Sequence, residues 1–313
     1  LGTTAQNLVP NPSFEDYHTC PTFNSNIQES LNNWYSPTIG TSDYFNKFYI
    51  DTTKNGRGVP YNYIYGFQYP KDGNGYVGLY LYYESPAISS HDYREYIAIE
   101  LIDSLKKDTT YCVSVFTNLS LNGSSAISSD IQFYFSNDSL YDYSWPGQNN
   151  LNVNPQVVND SENFISDTLN WILINGAFVS KGGEKFLTIG NFLPNNKSHI
   201  QKFDSANFHR SYYYFDEVSV IKGQCKREDT VKKVFFNLYP NPNNGNFNLN
   251  YGINNSAEFI MYDILGRVIT RTELNKDEVI QEFKMPLLSN GIYFIRIADS
   301  NKELYSTKMI ITR

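Results

Sequence analysis

The chain has 313 residues, of which 41% are hydrophobic, 16% aromatic and only 18% charged, and it contains 26 Tyr and 21 Phe. At ~100–200 residues per domain the length suggests two domains, and an inventory rich in Tyr, Phe, Thr, Val and Ile suits pleated sheets rather than long helices. The net charge of −7 speaks against a nucleic-acid binder, which needs a basic footprint, and no apolar run is long enough to cross a membrane as a helix.

In chain order, the sequence starts at Leu1 with "LGTTAQNLVP". We read this as an exported, processed chain with a small-residue cleavage context near Ala5-Gln6. Strand signals then dominate: Tyr76–Tyr83, Glu95–Leu101, Thr110–Leu121, Asp130–Ser136, Trp171–Ser180, Glu184–Phe192 and Tyr212–Ile221. Several alternate with period two between Gly, Asn, Asp, Ser and Pro clusters, the spacing of an antiparallel sandwich or jelly roll. "GNGYVG" (Gly73 to Gly78) formally satisfies a dinucleotide fingerprint, but "LYLYY" follows it as a strand, so a hairpin turn is expected. The first domain spans 1–222, a charged linker 223–235, and a second domain 236–313.

From Phe236 onward eight basic and eight acidic residues cancel, so the first 235 residues carry the whole negative charge. "GNFNLNY", "AEFIMYDILGRVITRTEL", "EVIQEFKM" and "GIYFIRIADSNKELYSTKMIITR" read as six or seven short strands, enough for a small immunoglobulin-like sandwich. Pro240-Asn241-Pro242 enters it extended and without two main-chain donors, which rules out a central strand there. The final strand is expected to be exposed and open to capture by strand addition. Cys20, Cys112 and Cys225 lack any C-x-x-C spacing; an exported setting permits one disulfide, and three pairings are possible.

The ordered motifs "LYPNPNNGNFNLNY", "FIMYDILGRVI", "GIYFIRI" and "STKMIITR" resemble the type A C-terminal sorting domain of type IX secretion cargo in Bacteroidota. Matching positions are Tyr239, Pro240, Asn241, Pro242 and Gly245; Asp263, Gly266 and Arg267; Gly291 and Tyr293; Lys308 and Arg313. The resemblance implies Sec export, periplasmic transit, recognition by the outer-membrane translocon and its shuttle protein, and delivery to the cell surface or medium.

The head, about Asn7 to Ile221, opens on "NLVPNPSFEDYHTCPT" and closes on "YYYFDEVSVI". It resembles the galactose-binding-like jelly-roll family, related to carbohydrate-binding modules. That resemblance implies a structural calcium ion with Glu15 and Asp216 as ligands and Asp72 as a third contributor; a hard dication wants six to eight oxygens. It also implies polysaccharide binding. Sugar faces stack on aromatic rings at concave sites, and Tyr61, Tyr63, Tyr65, Tyr82, Tyr83, Tyr93, Tyr141, Tyr143 and Trp145 are candidates. Trp145, in the polar loop "YDYSWPGQNN", ranks first, with Tyr143 and Tyr82 beside it. Trp34 and Trp171 lie in apolar strand patterns and are expected in the core.

Catalytic signatures are missing: there is no G-x-S-x-G elbow and no H-E-x-x-H, and the four histidines are scattered. Glu184 and Glu100 are the pair a glycan-active hydrolase would need, at the ~5–9 Å separation of such sites. The reading is a non-enzymatic surface adhesin, with the hydrolase and a passive spacer as rivals. Asp-Ser/Thr-apolar triplets resemble O-glycosylation acceptors in Bacteroidota, with Thr52, Ser104, Thr109, Ser139, Thr168, Ser205 and Thr230 as the acceptor oxygens.

Overall fold

The computed structural model describes residues 6–21, 27–49, 56–62, 64–84, 92–143, 150–205, 208–225, 235–253, 255–276, 278, 280–299 and 302–313. The chain divides into two compact units, Leu1–Cys225 and Lys226–Arg313, and both are all-β apart from short 3-10 turns.

In the first unit one sheet has the order β1 (Trp34–Tyr35), β6 (Ile97–Glu100), β12 (Phe186–Gly190), β9 (Gln132–Ser136), β10 (Val157–Val158). The second runs β11 (Ile172–Val179), β7 (Thr110–Leu119), β14 (His209–Lys222), β5 (Gly75–Glu84), β2 (Asp43–Asn46). Two small ladders flank them, β3 (Tyr61–Asn62) with β4 (Gly66–Phe67) and β8 (Ala126–Ser128) with β13 (Ile200–Lys202). All strand pairs are antiparallel, which makes this a jelly-roll sandwich.

Period-two alternation explains the core. Val77, Leu79 and Leu81 of β5, Val113 and Val115 of β7, and Tyr213 and Phe215 of β14 meet Ile97, Ile99, Phe133, Phe135, Leu187 and Ile189 of the opposite sheet. Side chains of the opposite parity point to the other face of the second sheet, and there they are not solvated as a simple sandwich would have them. Phe45, Tyr76, Tyr212 and Tyr214 are buried in a second aromatic cluster with Tyr65, beneath the β3–β4 hairpin. Trp34 is core, as expected. Trp171 is not: it packs half-buried on this outer cluster, because the hairpin supplies an apolar surface invisible to strand alternation.

A disulfide joins Cys112 on β7 to Cys225, just past the end of β14, and leaves Cys20 free. The ladder brings this about: Cys112 stands opposite Ile221 in the β7–β14 register.

The second unit packs β15 (Phe235–Tyr239), β16 (Asn246–Gly252) and β19 (Ile280–Lys284) against β17 (Ala257–Tyr262), β18 (Val268–Leu274), β20 (Gly291–Asp299) and β21 (Lys302–Ile311). The sheet orders are β15-β16-β19 and β18-β17-β20-β21. Phe247, Phe259 and Phe283 stack at its centre, with Leu249, Met261, Ile295, Ile297 and Met309 around them.

Candidate functional site

In the second unit the first and last motifs form one surface. Asn241 Nδ2 donates to the Lys308 carbonyl at 2.9 Å, and its Oδ1 accepts the Ile310 amide at 2.9 Å. Asn243 bridges Ile311 in parallel, donating its amide to the Ile310 carbonyl and accepting that of Thr312. Arg313 Nε donates to the Asn244 carbonyl. Gly245 has φ +98, and any Cβ there would collide with the Met285 carbonyl, so glycine is required. The expectation of an open final strand is therefore corrected: over residues 308–312 its edge is already occupied. Tyr239 and the two prolines are exposed beside it.

The other motif residues hold separate corners. Asp263 accepts the Leu265 and Arg267 amides and pairs with Arg267 Nε at 2.6 Å, while the Gly266 amide closes the turn onto the Asp263 carbonyl. The Arg267 amide and guanidinium hold the Asp263 carboxyl below its usual range. Gly291 opens β20, and Tyr293 is buried with its hydroxyl on the Ser289 carbonyl.

In the head, the proposed calcium ligands Glu15 and Asp216 converge on one turn, residues 71–75. Glu15 Oε1 accepts the Asn74 and Gly75 amides at 2.6 and 2.9 Å, and Oε2 accepts Asn74 Nδ2. Asp216 Oδ2 accepts the Lys71 and Asp72 amides, and Oδ1 accepts the Glu217 amide. Asp72 joins through its main-chain N–H while its side chain is exposed. A turn that offers N–H groups binds an anion rather than a dication. Among the described residues no group of three or more His, Cys, Asp or Glu is placed to hold a metal. As arranged, Glu15, Asp72 and Asp216 do not fit calcium; the carboxylates do the tying themselves. Burial pushes the Asp216 carboxyl up to about 8.

The predicted sugar-binding residues separate. Trp145 lies outside the described residues. Tyr82 is 4% exposed, donating to Glu84 under the Arg94 guanidinium. Tyr143 is half-exposed and stacks on Tyr141, which stacks on Tyr35. A more coherent aromatic surface lies on the β3–β4 hairpin. Tyr61 and Phe67 are cross-strand partners and Tyr69 follows two residues on; the three are 59, 46 and 61% exposed. The Phe67 and Tyr69 rings meet edge to face at 5.3 Å.

The segment beneath those rings is held by hydrogen bonds to its carbonyls and to the Asn62 side chain. The Tyr65 carbonyl accepts from Ser120 Oγ and the Asn122 amide, and Asn62 Nδ2 donates to the Tyr214 hydroxyl. The Gln68 carbonyl accepts from the Tyr76 hydroxyl, and Trp171 Nε1 donates to the Tyr69 carbonyl. Sequence reasoning ranked Trp145 above this hairpin because isolation in a polar loop is visible in sequence, whereas pinning is not.

Sequence reasoning also missed a sealed ionic cluster beside the hairpin. Asp43 Oδ1 pairs with Arg57 Nη2 at 2.8 Å and Oδ2 accepts the Tyr212 hydroxyl. The Arg57 guanidinium lies against the Phe45 and Tyr65 rings. Glu95 accepts the Tyr93 and Thr41 hydroxyls and the Tyr80 amide. Burial, and then the Asp43 charge, push the Glu95 carboxyl up to about 7.

Each carboxyl of the imagined hydrolase pair is engaged by a neighbour. Glu184 caps its own turn, accepting from Ser180, Lys181 and Gly182. Burial alone would raise its pKa, but those donors outweigh burial and hold it below the usual range. Glu100 is exposed and paired with Lys185. Of the glycosylation candidates, Ser104 and Ser205 are exposed and Thr109, Ser139 and Thr168 half-buried, all outside the strands; Thr52 and Thr230 lie outside the described residues. Of the histidines, His209 is buried at the start of β14 against Asp204 and Glu84.

Residues 237–312 match the family described as "Secretion system C-terminal sorting domain". The chain is 31% identical over 74 residues to an endo-acting ulvan lyase of Formosa agariphila, covering 24% of this chain and 14% of the lyase; the match thus spans about a seventh of that relative. Among solved structures, the N-terminal CBM22 tandem domain of Paenibacillus barcinonensis Xyn10C is 12% identical, with 99% of this chain and 86% of that one covered and a TM-score of 0.35. The adhesin domain of Epf from Streptococcus pyogenes is 11% identical, with 87% and 92% covered and a TM-score of 0.23. Superpositions this loose establish no shared architecture. The C-terminal unit of this chain is a secretion-system sorting domain of the type IX class, a tail that marks proteins secreted or attached at the cell surface.

Proposed function

We propose that the head is a polysaccharide-binding module that holds the exported chain on glycan at the cell surface without turning it over. The observation that carries this reading is the β3–β4 hairpin: three solvent-facing rings on a backbone whose carbonyls accept hydrogen bonds from three other segments. Pyranose faces stack on exposed rings, and a platform already rigid in the free protein loses little entropy on binding. Tyr141 and Tyr143 offer a second exposed aromatic strip. The partners in export are the type IX translocon and its shuttle protein. A glycan array with the full chain tests the reading, with ulvan, the polysaccharide in the lyase relative's name, on the panel. Saturable binding lost in a Y61A/Y69A variant is expected; binding unchanged in that variant, or product release from any glycan, overturns it.

A further inference from the structure

Strand register fixes which turns of the second unit stand together. Tyr262 closes β17 opposite Phe294, near the start of β20, and Asn246 opens β16 opposite Lys284, the end of β19. The turns 240–245, 263–267 and 285–290 therefore share one pole of the sandwich, together with the end of β21. β15 begins at the other pole, where Phe235 faces Gly252.

Apolar side chains collect at the first pole, on turns that are ordinarily polar. Ile264 and Leu265, at the tip of the β17–β18 turn, are 70% and 73% exposed, and Leu287 on the β19–β20 turn is 95% exposed. Val268, Ile292 and Phe294 stand exposed just behind them. Among the described residues, Phe235 and Ile280 are this unit's exposed large apolar side chains toward the opposite pole. The tips are held out by their own turns: Asp263 accepts the Leu265 and Arg267 amides, and the Leu288 amide closes onto the Met285 carbonyl.

Charge follows the same axis. Eight basic and eight acidic residues cancel from Phe236 onward, but they are not evenly spread. Arg267, Lys284, Lys308 and Arg313 are exposed at the apolar pole, against Asp263 and Glu282. Toward the other pole Glu258, Glu273, Glu278 and Asp299 outnumber Arg271 and Lys276.

A contiguous exposed apolar surface marks a site of interaction. Aliphatic tips on separate convex turns offer no flat face to a folded partner, whereas a fluid interface closes around each of them. Apolar points ringed by cations suit the headgroup boundary of an anionic bilayer, where the apolar groups enter and the cations meet phosphate. Tyr239, exposed at the same pole, carries the amphipathic ring favoured at that depth.

We propose that this pole of the second unit docks the chain on an anionic lipid bilayer, with Ile264, Leu265 and Leu287 inserted at the headgroup boundary and Arg267, Lys284, Lys308 and Arg313 on lipid phosphates. Docking of this kind needs neither glycan nor export machinery.

Flotation of the purified full chain with vesicles tests this, using phosphatidylcholine alone and phosphatidylcholine with about a third of phosphatidylglycerol. Binding to the mixed vesicles that weakens at high salt is expected. Ile264→Ser, Leu265→Ser and Leu287→Ser together should leave the thermal midpoint in place, since all three side chains are exposed, and weaken binding by about tenfold or more. Lys284→Gln with Lys308→Gln should abolish the preference for the mixed vesicles, and Ile280→Ser, toward the other pole, should leave binding unchanged. Failure of the parent chain to bind mixed vesicles, undiminished binding after the triple substitution, a retained preference in the lysine variant, or an equal loss in Ile280→Ser overturns the proposal. So does a dimer in sedimentation that the triple substitution dissociates without any vesicle binding, which would give the pole to a second copy of the chain.

Discussion

Glu15 and Asp216, 201 positions apart in the chain, grip the same five-residue turn from opposite ends, each through main-chain amides. The turn leads directly into β5, so the first segment, the last strand and a central strand of the head are tied by two carboxyl groups.

Loss of that tie should be felt as a global loss of stability. Glu15→Ala leaves three donors without their anion and is expected to cost about 2–3 kcal/mol, or roughly 5–10 °C in the head's thermal midpoint. Added calcium or EDTA should leave the midpoint of the parent chain unmoved. A calcium-dependent rise in calorimetry would show instead that the turn reorganises around an ion.

The buried carboxyls predict a pH dependence of unusual direction. Glu95 and Asp216 have folded pKa values raised to about 7 and about 8, above those of the unfolded chain. Between pH 5 and pH 8 the folded state therefore binds more protons than the unfolded one, and their contribution to stability falls as pH rises. The head's midpoint should be higher at pH 5 than at pH 8, and Glu95→Gln should flatten that decline. A midpoint that climbs over this interval, or a slope indifferent to Glu95→Gln, would contradict the burial argument.

The Cys112–Cys225 bridge closes a segment of 113 residues, for which chain entropy alone predicts about 4–5 kcal/mol. Cys225→Ser is expected to lower unfolding free energy by about 2–5 kcal/mol in urea titration. Alkylation of the denatured, unreduced chain should add one label, at Cys20; three labels would mean that the bridge does not form.

Gly245→Ala forces a left-handed residue and a Cβ against the Met285 carbonyl. A destabilisation of the tail by about 1–3 kcal/mol is expected, read as a lowered tail transition in calorimetry of the full chain. Gly266→Ala, at φ +76 but with open space around it, should cost less. Equal costs would mean that backbone conformation alone, and not contact with the neighbouring strand, governs both sites.

The modification reading is tested by mass. Glycan on Ser104 or Ser205, the two exposed acceptors among the described residues, should raise the intact mass of the surface-recovered chain and disappear with the matching Ser→Ala change. A mass equal to that of the bare polypeptide would remove it.

The amino-acid sequence by itself determined what is local. Alternation in "YVGLYLYY" and "FIMYD" and turn residues such as Gly266 were enough for two β-sandwiches, because strand parity and turn chemistry depend only on near neighbours, while the export class of the tail came from the resemblance of four ordered motifs to a known family. Tertiary structure alone decided which long-range partners meet. It chose Cys225 for Cys112 through the β7–β14 register, and aimed Glu15 and Asp216 at the main-chain amides of one turn. It buried Tyr82 while exposing Tyr61 and Tyr69, and it laid Asn241 along Lys308 at the far end of the tail. Each outcome turns on what covers a surface, and covering is a property of segments far apart in the chain.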